Sequence, residues 1–316
     1  MTQSQGQTPS TSLAGSGEGN AIWQVARKEM LQHVRTKRLF IIVPIFAIVM
    51  VLVTIVFPLK LLEDGDLSGG FEEGTSNQNI AMLLFFTGFF VLSGYFYLQL
   101  IAIVLTTDAI SSEWSSRTLF LLLSKPVSRR ALVLGKYLGS AATVVGVVGA
   151  LIILDYLLAI ALLPGSPDGE SIAGFTSALG ILLLGCLAFC AVGMFFSTLT
   201  RSNVTGILLA MAAWIFVFPL IGSLDSIVNI GQDGLEGVIQ EPGSLAWSVY
   251  LSPSSSMRVA SNVLAPSLSG EFNGALARLF GFSAPGEAWI AALALVAHTL
   301  VFLGASLWIV QRRNFE

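Results

Sequence analysis

The chain has 316 residues, of which 54% are hydrophobic and only 11% charged, and its formal net charge is −3. Its mean hydropathy is +0.79, whereas an ordinary soluble domain carries about 25% charged residues. These values exclude a typical soluble globular protein. Two histidines, and two cysteines within an apolar block, are too few for a disulfide framework or a four-ligand zinc site, so we expect no bound metal.

The N-terminal part of the chain contains two different segments. Residues 1–20 are rich in Ser, Gly, Thr and Gln without Lys or Arg, which predicts a disordered tail rather than a secretory signal. Residues 22–38 place apolar side chains at helical spacing among basic ones, which predicts an amphipathic helix on the inner membrane surface. The alternative is a positively charged flank that only sets topology, and the two interpretations are compatible.

Six apolar blocks are long enough to cross about 30 Å of hydrocarbon as helices. They cover approximately residues 39–59, 80–106, 137–163, 175–199, 204–224 and 289–310. The small residues Gly135 and Gly139, then Gly146, Gly149 and Ala150, predict a face of the third span that admits another helix closely. Residues 225–287 are too long for a connector and contain four prolines, which predicts a small helical cap on the outer face. The predicted fold is an all-α membrane protein in which residues 21–316 form one six-span domain.

The distribution of Lys and Arg predicts the orientation. Most of the 16 basic residues lie before the first span, between spans two and three, or at the C-terminus, while the other loops carry mainly acids. The positive-inside rule therefore places both termini in the cytoplasm, as an even number of spans requires. The basic residues expected at the inner membrane surface are Arg27, Lys28, Arg35, Lys37, Arg38, Arg129, Arg130 and Lys136.

The inner segment between spans two and three is too long for a tight turn. Glu113 and Arg117 are four residues apart and would meet on one helix face. The apolar run 119–123 lies outside any predicted span and needs a partner, and Pro126 ends the helix. The simplest alternative is an ordinary basic loop that only holds topology.

This segment resembles the cytoplasmic loop of ABC type-2 transporter permeases. The matching elements are Glu113, Arg117-Thr118-Leu119, Leu122-Leu123-Ser124, Lys125-Pro126, Ser128-Arg129 and Gly135-Lys136. The likeness covers about residues 21–316, including the six-span layout and the outer Tyr250-Leu251-Ser252-Pro253-Ser254. The chain is similar in particular to the permease group that serves nitrous-oxide-reductase maturation.

The resemblance implies the membrane-spanning subunit of an exporter that is driven by a separate ATPase chain. The loop would be a coupling helix that docks on this ATPase through Glu113, Arg117, Thr118, Leu119, Leu122, Leu123 and Pro126. Because the sequence has no GxxxxGK[ST] motif, the chain itself would be no enzyme and would bind no cofactor, with ATP and Mg on the partner. The resemblance also implies a second permease copy, identical or paralogous. The complex would lie in the plasma membrane of a prokaryote, in contact with membrane lipids. No nucleic-acid partner is expected.

Few polar residues lie inside the apolar blocks. Asp155 in span three would line a translocation path, or else lie near enough to the outer surface to be hydrated or be kept protonated. His298 in span six is more typical of a hydrogen-bonded packing residue. The second function that the sequence allows is a membrane scaffold or assembly factor whose outer cap binds a protein. Nothing in these residues identifies a substrate.

Overall fold

A computed structural model describes residues 17–52, 56, 97–115, 128–162, 169–222, 224, 247–259 and 287–312. Within these ranges the chain forms helices joined by turns and contains no strand, which confirms the all-α class. The helices are α1 (Gly17–Arg35), α2 (Lys37–Val51), α3 (Leu98–Thr106), α4 (Ser111–Ser115), α5 (Arg129–Leu162), α6 (Gly169–Leu199), α7 (Asn203–Gly222), α8 (Pro253–Arg258) and α9 (Ala288–Arg312). A 3₁₀ turn, Trp247–Leu251, precedes α8.

Four of these helices, α5, α6, α7 and α9, are long and apolar enough to cross a membrane. They correspond to the third to sixth predicted spans. The first predicted span is represented by a shorter apolar helix, Leu39–Val51, and most of the second lies outside the described residues. Helix α3 is the end of the second span that the distribution of Lys and Arg predicts to be cytoplasmic, and we call this end of the bundle inner and the opposite end outer. The described part of the chain therefore accounts for four spans of the predicted six.

Helix α6 lies at the centre of the bundle and contacts α3, α5, α7, α8 and α9. Phe189 and Leu182 on this helix are completely buried, and so are the free thiols of Cys186 and Cys190. The outer helices present large apolar side chains instead, such as Phe216 of α7 at 71% exposure. This distribution suits a bundle that is surrounded by lipid, because apolar surface has no cost there.

The segment that contains α8 enters the bundle from between α7 and α9. A Cβ added to Gly185 of α6 would lie 2.6 Å from the Met257 sulfur, and Gly185 is about 21 Å along α6 from its inner end. The Gln99 side chain of α3 lies beside this segment. Its amide oxygen accepts from Trp214 Nε1 of α7 at 2.5 Å and from Ser254 Oγ of α8 at 3.2 Å. Gln99 is completely buried, so these bonds satisfy an amide that would be costly to leave unpaired.

Two predicted segments lie partly outside the described residues. Of the predicted tail, residues 1–16 are outside them, and α1 begins at Gly17, within the region whose composition predicts disorder. Glu18 in the first turn of α1 favours this start, because a negative charge stabilises a helix N-terminus. Of the predicted outer cap, only residues 247–259 and 287 are described.

Candidate functional site

The candidate site surrounds α4, the short helix that follows α3 on the inner side of the bundle. The first backbone N–H groups of a helix have no partner within that helix. Here the Ser197 hydroxyl of α6 accepts from the N–H groups of Ile110 and Ser111 at 2.9 and 3.0 Å. Ser197 is completely buried. The start of α4 is thereby fixed to the inner end of α6.

A second attachment lies at the other end of α4. The Arg201 guanidinium, in the turn between α6 and α7, lies 5.1 Å from the centre of the Trp114 ring. A cation over the face of an indole is attracted by the ring quadrupole. Since α4 also packs against α7, the helix is held by the inner ends of two spanning helices.

The third attachment is a buried charge cluster. Lys136 Nζ of α5 lies 2.9 Å from Glu113 Oε1 of α4 and 3.0 Å from Glu29 Oε2 of α1. The side chains are 3% exposed for Lys136, 5% for Glu29 and 12% for Glu113. We call these three residues the Lys136 cluster. An ammonium group has three donors, so one lysine joins two carboxylates and, through them, three helices.

Helix α1 can bring Glu29 to Lys136 because it packs directly against the backbone of α5. A Cβ on Gly135 would lie 2.6 Å from Val25 Cβ, and one on Gly139 would lie 2.7 Å from Glu29 Cβ. Two glycines four residues apart share a helix face and allow close approach of a neighbouring helix. The predicted small-residue face is confirmed at Gly135 and Gly139, where it admits α1. Further along α5, a Cβ on Gly146 would meet no atom within 4 Å, and one on Gly149 would lie 4.0 Å from Leu183 of α6.

Polar contacts continue this α1–α5 contact on both sides of the cluster. Ser128 Oγ donates to Glu18 Oε1 at 2.8 Å near the start of both helices. Further along, His33 Nε2 and Ser140 Oγ are 3.0 Å apart. Part of the apolar stripe predicted to face the membrane, from Ile22 to Ala26, therefore packs against α5 rather than against lipid.

The predicted coupling residues are only partly described. Glu113 belongs to the Lys136 cluster, so its side chain points into the protein. The remaining predicted coupling residues lie outside the described residues: Arg117, Thr118, Leu119, Leu122, Leu123 and Pro126.

Seven of the eight predicted surface cations fall into three groups. Arg27, Lys28, Arg35 and Arg130 are exposed, and the first three line a shallow groove on the exposed face of α1. Arg129 is half-buried and donates from Nη1 to the Gln311 carbonyl at 3.2 Å, at the end of α9. The side chains of Lys37 and Arg38 lie outside the described part of the chain.

Lys136 differs from this set, because the structure buries it. It lies on the face of α5 that α1 covers, so its ammonium meets carboxylates instead of lipid headgroups. Sequence spacing alone does not reveal this, since Glu29 is 107 residues away. The only sequence feature that indicates a partner for Lys136 is the presence of one acid, Glu29, within the basic segment 27–38.

Asp155 lies far from the cluster, about 28 Å further along α5. It is 2% exposed, and the neighbouring Tyr156 ring stacks on Phe175 of α6 with centroids 3.9 Å apart. The stacking places the Tyr156 ring between α5 and α6, next to the buried acid. Among the described residues, no three His, Cys, Asp or Glu side chains are grouped so that they could hold a metal ion.

Comparison with known proteins gives two findings. A family model described as ABC-2 family transporter protein matches residues 23–315. A protein of Pseudomonas aeruginosa named as a probable ABC transporter permease protein, NosY, is 28% identical over 246 residues, which are 75% of this chain and 80% of that protein. The family match includes all three residues of the Lys136 cluster.

Proposed function

Since the chain belongs to the ABC-2 family of transporter proteins, we propose that it is the permease subunit of an exporter whose ATPase is a separate chain. Membership makes it the membrane-embedded part of an ABC transporter. The observation that carries the proposal is the attachment of α4, a short inner helix held by α6, by Arg201 and by the Lys136 cluster. Such a helix can receive a force on the inner face and pass it to helices that cross the membrane.

The mechanism follows from these attachments. ATP hydrolysis on the partner supplies the free energy, and closure of that partner would displace α4. Ser197 links this displacement to α6 and Glu113 links it to α5. Relative movement of the spanning helices would then open a path alternately to the two sides of the membrane.

The proposal includes a second permease copy, a location in the plasma membrane, and both termini in the cytoplasm. The basic side chains of α1 support the orientation, because Arg27, Lys28 and Arg35 are exposed where anionic headgroups would lie. The apolar outer faces of α7 and α9 offer surface for lipid and for another copy. The name of the Pseudomonas relative agrees with a permease role.

The test is co-purification. The full chain is expressed with candidate P-loop ATPases of the same organism, extracted in mild detergent and placed in nanodiscs. We expect a stable complex whose ATP hydrolysis exceeds that of the ATPase alone. Glu113→Ala should lower this stimulation while the chain still inserts, whereas the exposed outer acid in Glu287→Ala should leave it unchanged.

Repeated failure of any ATPase to bind or respond would refute the permease assignment. The scaffold alternative would then gain support if a protein were captured through the outer cap instead.

A further inference from the structure

We infer that Lys136 is a positioning residue that carries displacement of α4 into α5 and α1, so that the interfacial helix moves together with the coupling helix. This inference rests on the proposed function, because it concerns how that site passes on the movement of an ATPase. It gives Glu113 an internal partner and gives α1 a part in transport beyond anchoring the chain at the membrane.

The position of Lys136 along α5 is the first support. Helix α5 has 34 residues and runs from Arg129 to Leu162 without interruption. Lys136 is seven residues from its start, about 10 Å along the helix axis. A force applied to Lys136 therefore acts on the inner end of a continuous helix that crosses the membrane, and its outer part includes Asp155.

The second support is the difference between the attachments of α4. Its backbone packs more closely on α7 than on α1 or α5, and its N–H groups bond to α6 through Ser197. The Glu113–Lys136 pair joins α4 directly to α5, and α3, which precedes α4, also contacts α5. By contrast, α1 and α5 are in close backbone contact at Gly135 and Gly139. One ion pair thus connects α4 to a tightly packed helix pair.

The third support is the charge balance, which also supplies the test. The Lys136 cluster holds two carboxylates and one ammonium, and His33 Nε2 lies 3.7 Å from Glu29 Oε1 beside it. Removal of either acid leaves a neutral Glu–Lys pair, which the interior tolerates better than an unpaired charge. Glu113→Ala therefore removes the ion pair between α4 and α5 and leaves α1 paired to α5, whereas Glu29→Ala leaves α4 paired to α5 and leaves α1 packed on Gly135 and Gly139.

The experiment is hydrogen–deuterium exchange on the full chain in nanodiscs with its ATPase, with and without a non-hydrolysable ATP analogue. In the wild type, we expect the analogue to change exchange in α4, in the start of α5 and in α1. In Glu113→Ala, the response of α1 should be lost although the complex still assembles. In Glu29→Ala, the start of α5 and α1 should both still respond, because α1 stays packed on Gly135 and Gly139.

Two variants serve as controls. Ser197→Ala weakens the attachment to α6 but keeps the ion pair, so the response of α1 should remain. Arg27→Ala changes an exposed residue of α1 and should leave every response intact. A full response of α1 in Glu113→Ala, or its loss in Ser197→Ala alone, would overturn the inference.

An arm without the ATPase separates this inference from the proposed function. In the permease alone, Lys136→Met should raise exchange in α1 and α4 together, while the exposed Lys28→Met should raise it in neither. If no ATPase binds but this joint effect is seen, the proposed function fails and the connection between α1 and α4 stands. If Lys136→Met leaves α4 unchanged, the connection itself is refuted. If Lys136→Met does not insert into the membrane, the two acid variants decide the question. Glu29→Ala should then raise exchange only in α1, and Glu113→Ala only in α4.

Discussion

Replacement of Lys136 by methionine should destabilise the protein strongly. The two side chains have similar length, so the main change is the loss of the ammonium between carboxylates that are 5% and 12% exposed. Removing one partner of a buried ion pair typically costs about 3–5 kcal/mol, because it leaves charge that neither water nor a partner stabilises. We expect a loss of this size for Lys136→Met, measured as the change in unfolding free energy on SDS titration of the permease in bicelles.

Two further variants isolate the cause. Lys28→Met makes the same substitution at an exposed position of α1, where surface changes usually stay within about 0.5 kcal/mol. Combining Lys136→Met with Glu29→Gln and Glu113→Gln removes all three charges and should recover most of the loss, since a buried ion cluster is often replaceable by neutral groups. Equal unfolding free energies for Lys136→Met and Lys28→Met would show that Lys136 is not buried against the two acids.

The packing of α1 and of the α8 segment gives two more predictions. Gly139→Ala should lower the free energy of unfolding by about 1–3 kcal/mol through overpacking and speed proteolysis of α1, because the new methyl group would meet the α1 backbone. The control is Gly146→Ala, which has nothing within 4 Å of the added carbon and should be neutral or slightly stabilising. Equal effects of the two substitutions would contradict the α1–α5 contact. Gln99→Leu removes the buried bonds to α7 and α8 and should cost about 1–2 kcal/mol in the same SDS assay, whereas the exposed Gln24→Leu should cost less than about 0.5 kcal/mol.

The spanning helices could be predicted from the sequence because their cause is local. A run of about 20 apolar residues is sufficient to define a span, and α6, α7 and α9 end close to the predicted limits. Helix α5 is the exception, since it begins at Arg129, eight residues before the predicted start at Tyr137. Those residues are stabilised by α1 packing on Gly135 and Gly139, which hydropathy does not measure.

The candidate site could be predicted only in part. The segment containing Glu113 was identifiable, because its residues match the family motif in order. The partners of Glu113 and of the N–H groups of α4 were not, since Glu29 and Ser197 are brought there by tertiary packing over 84 or more residues of chain. Gln99 shows the same limit: an amide within an apolar block indicates a hydrogen-bonded site but does not name Trp214 or Ser254 as its partners.

The unequal exposure within the Lys136 cluster indicates which of its contacts opens first. Water screens a partly exposed pair more effectively than a buried one, and Glu113 is 12% exposed whereas Glu29 is 5% exposed. Glu113 also belongs to a five-residue helix, while Glu29 is held by the close contact of α1 with Gly139. The Glu113–Lys136 contact is therefore the weaker one, and a force on α4 that exceeds its strength should separate α4 from α5 before it separates α1 from α5. Below that strength, α4, α5 and α1 should move together.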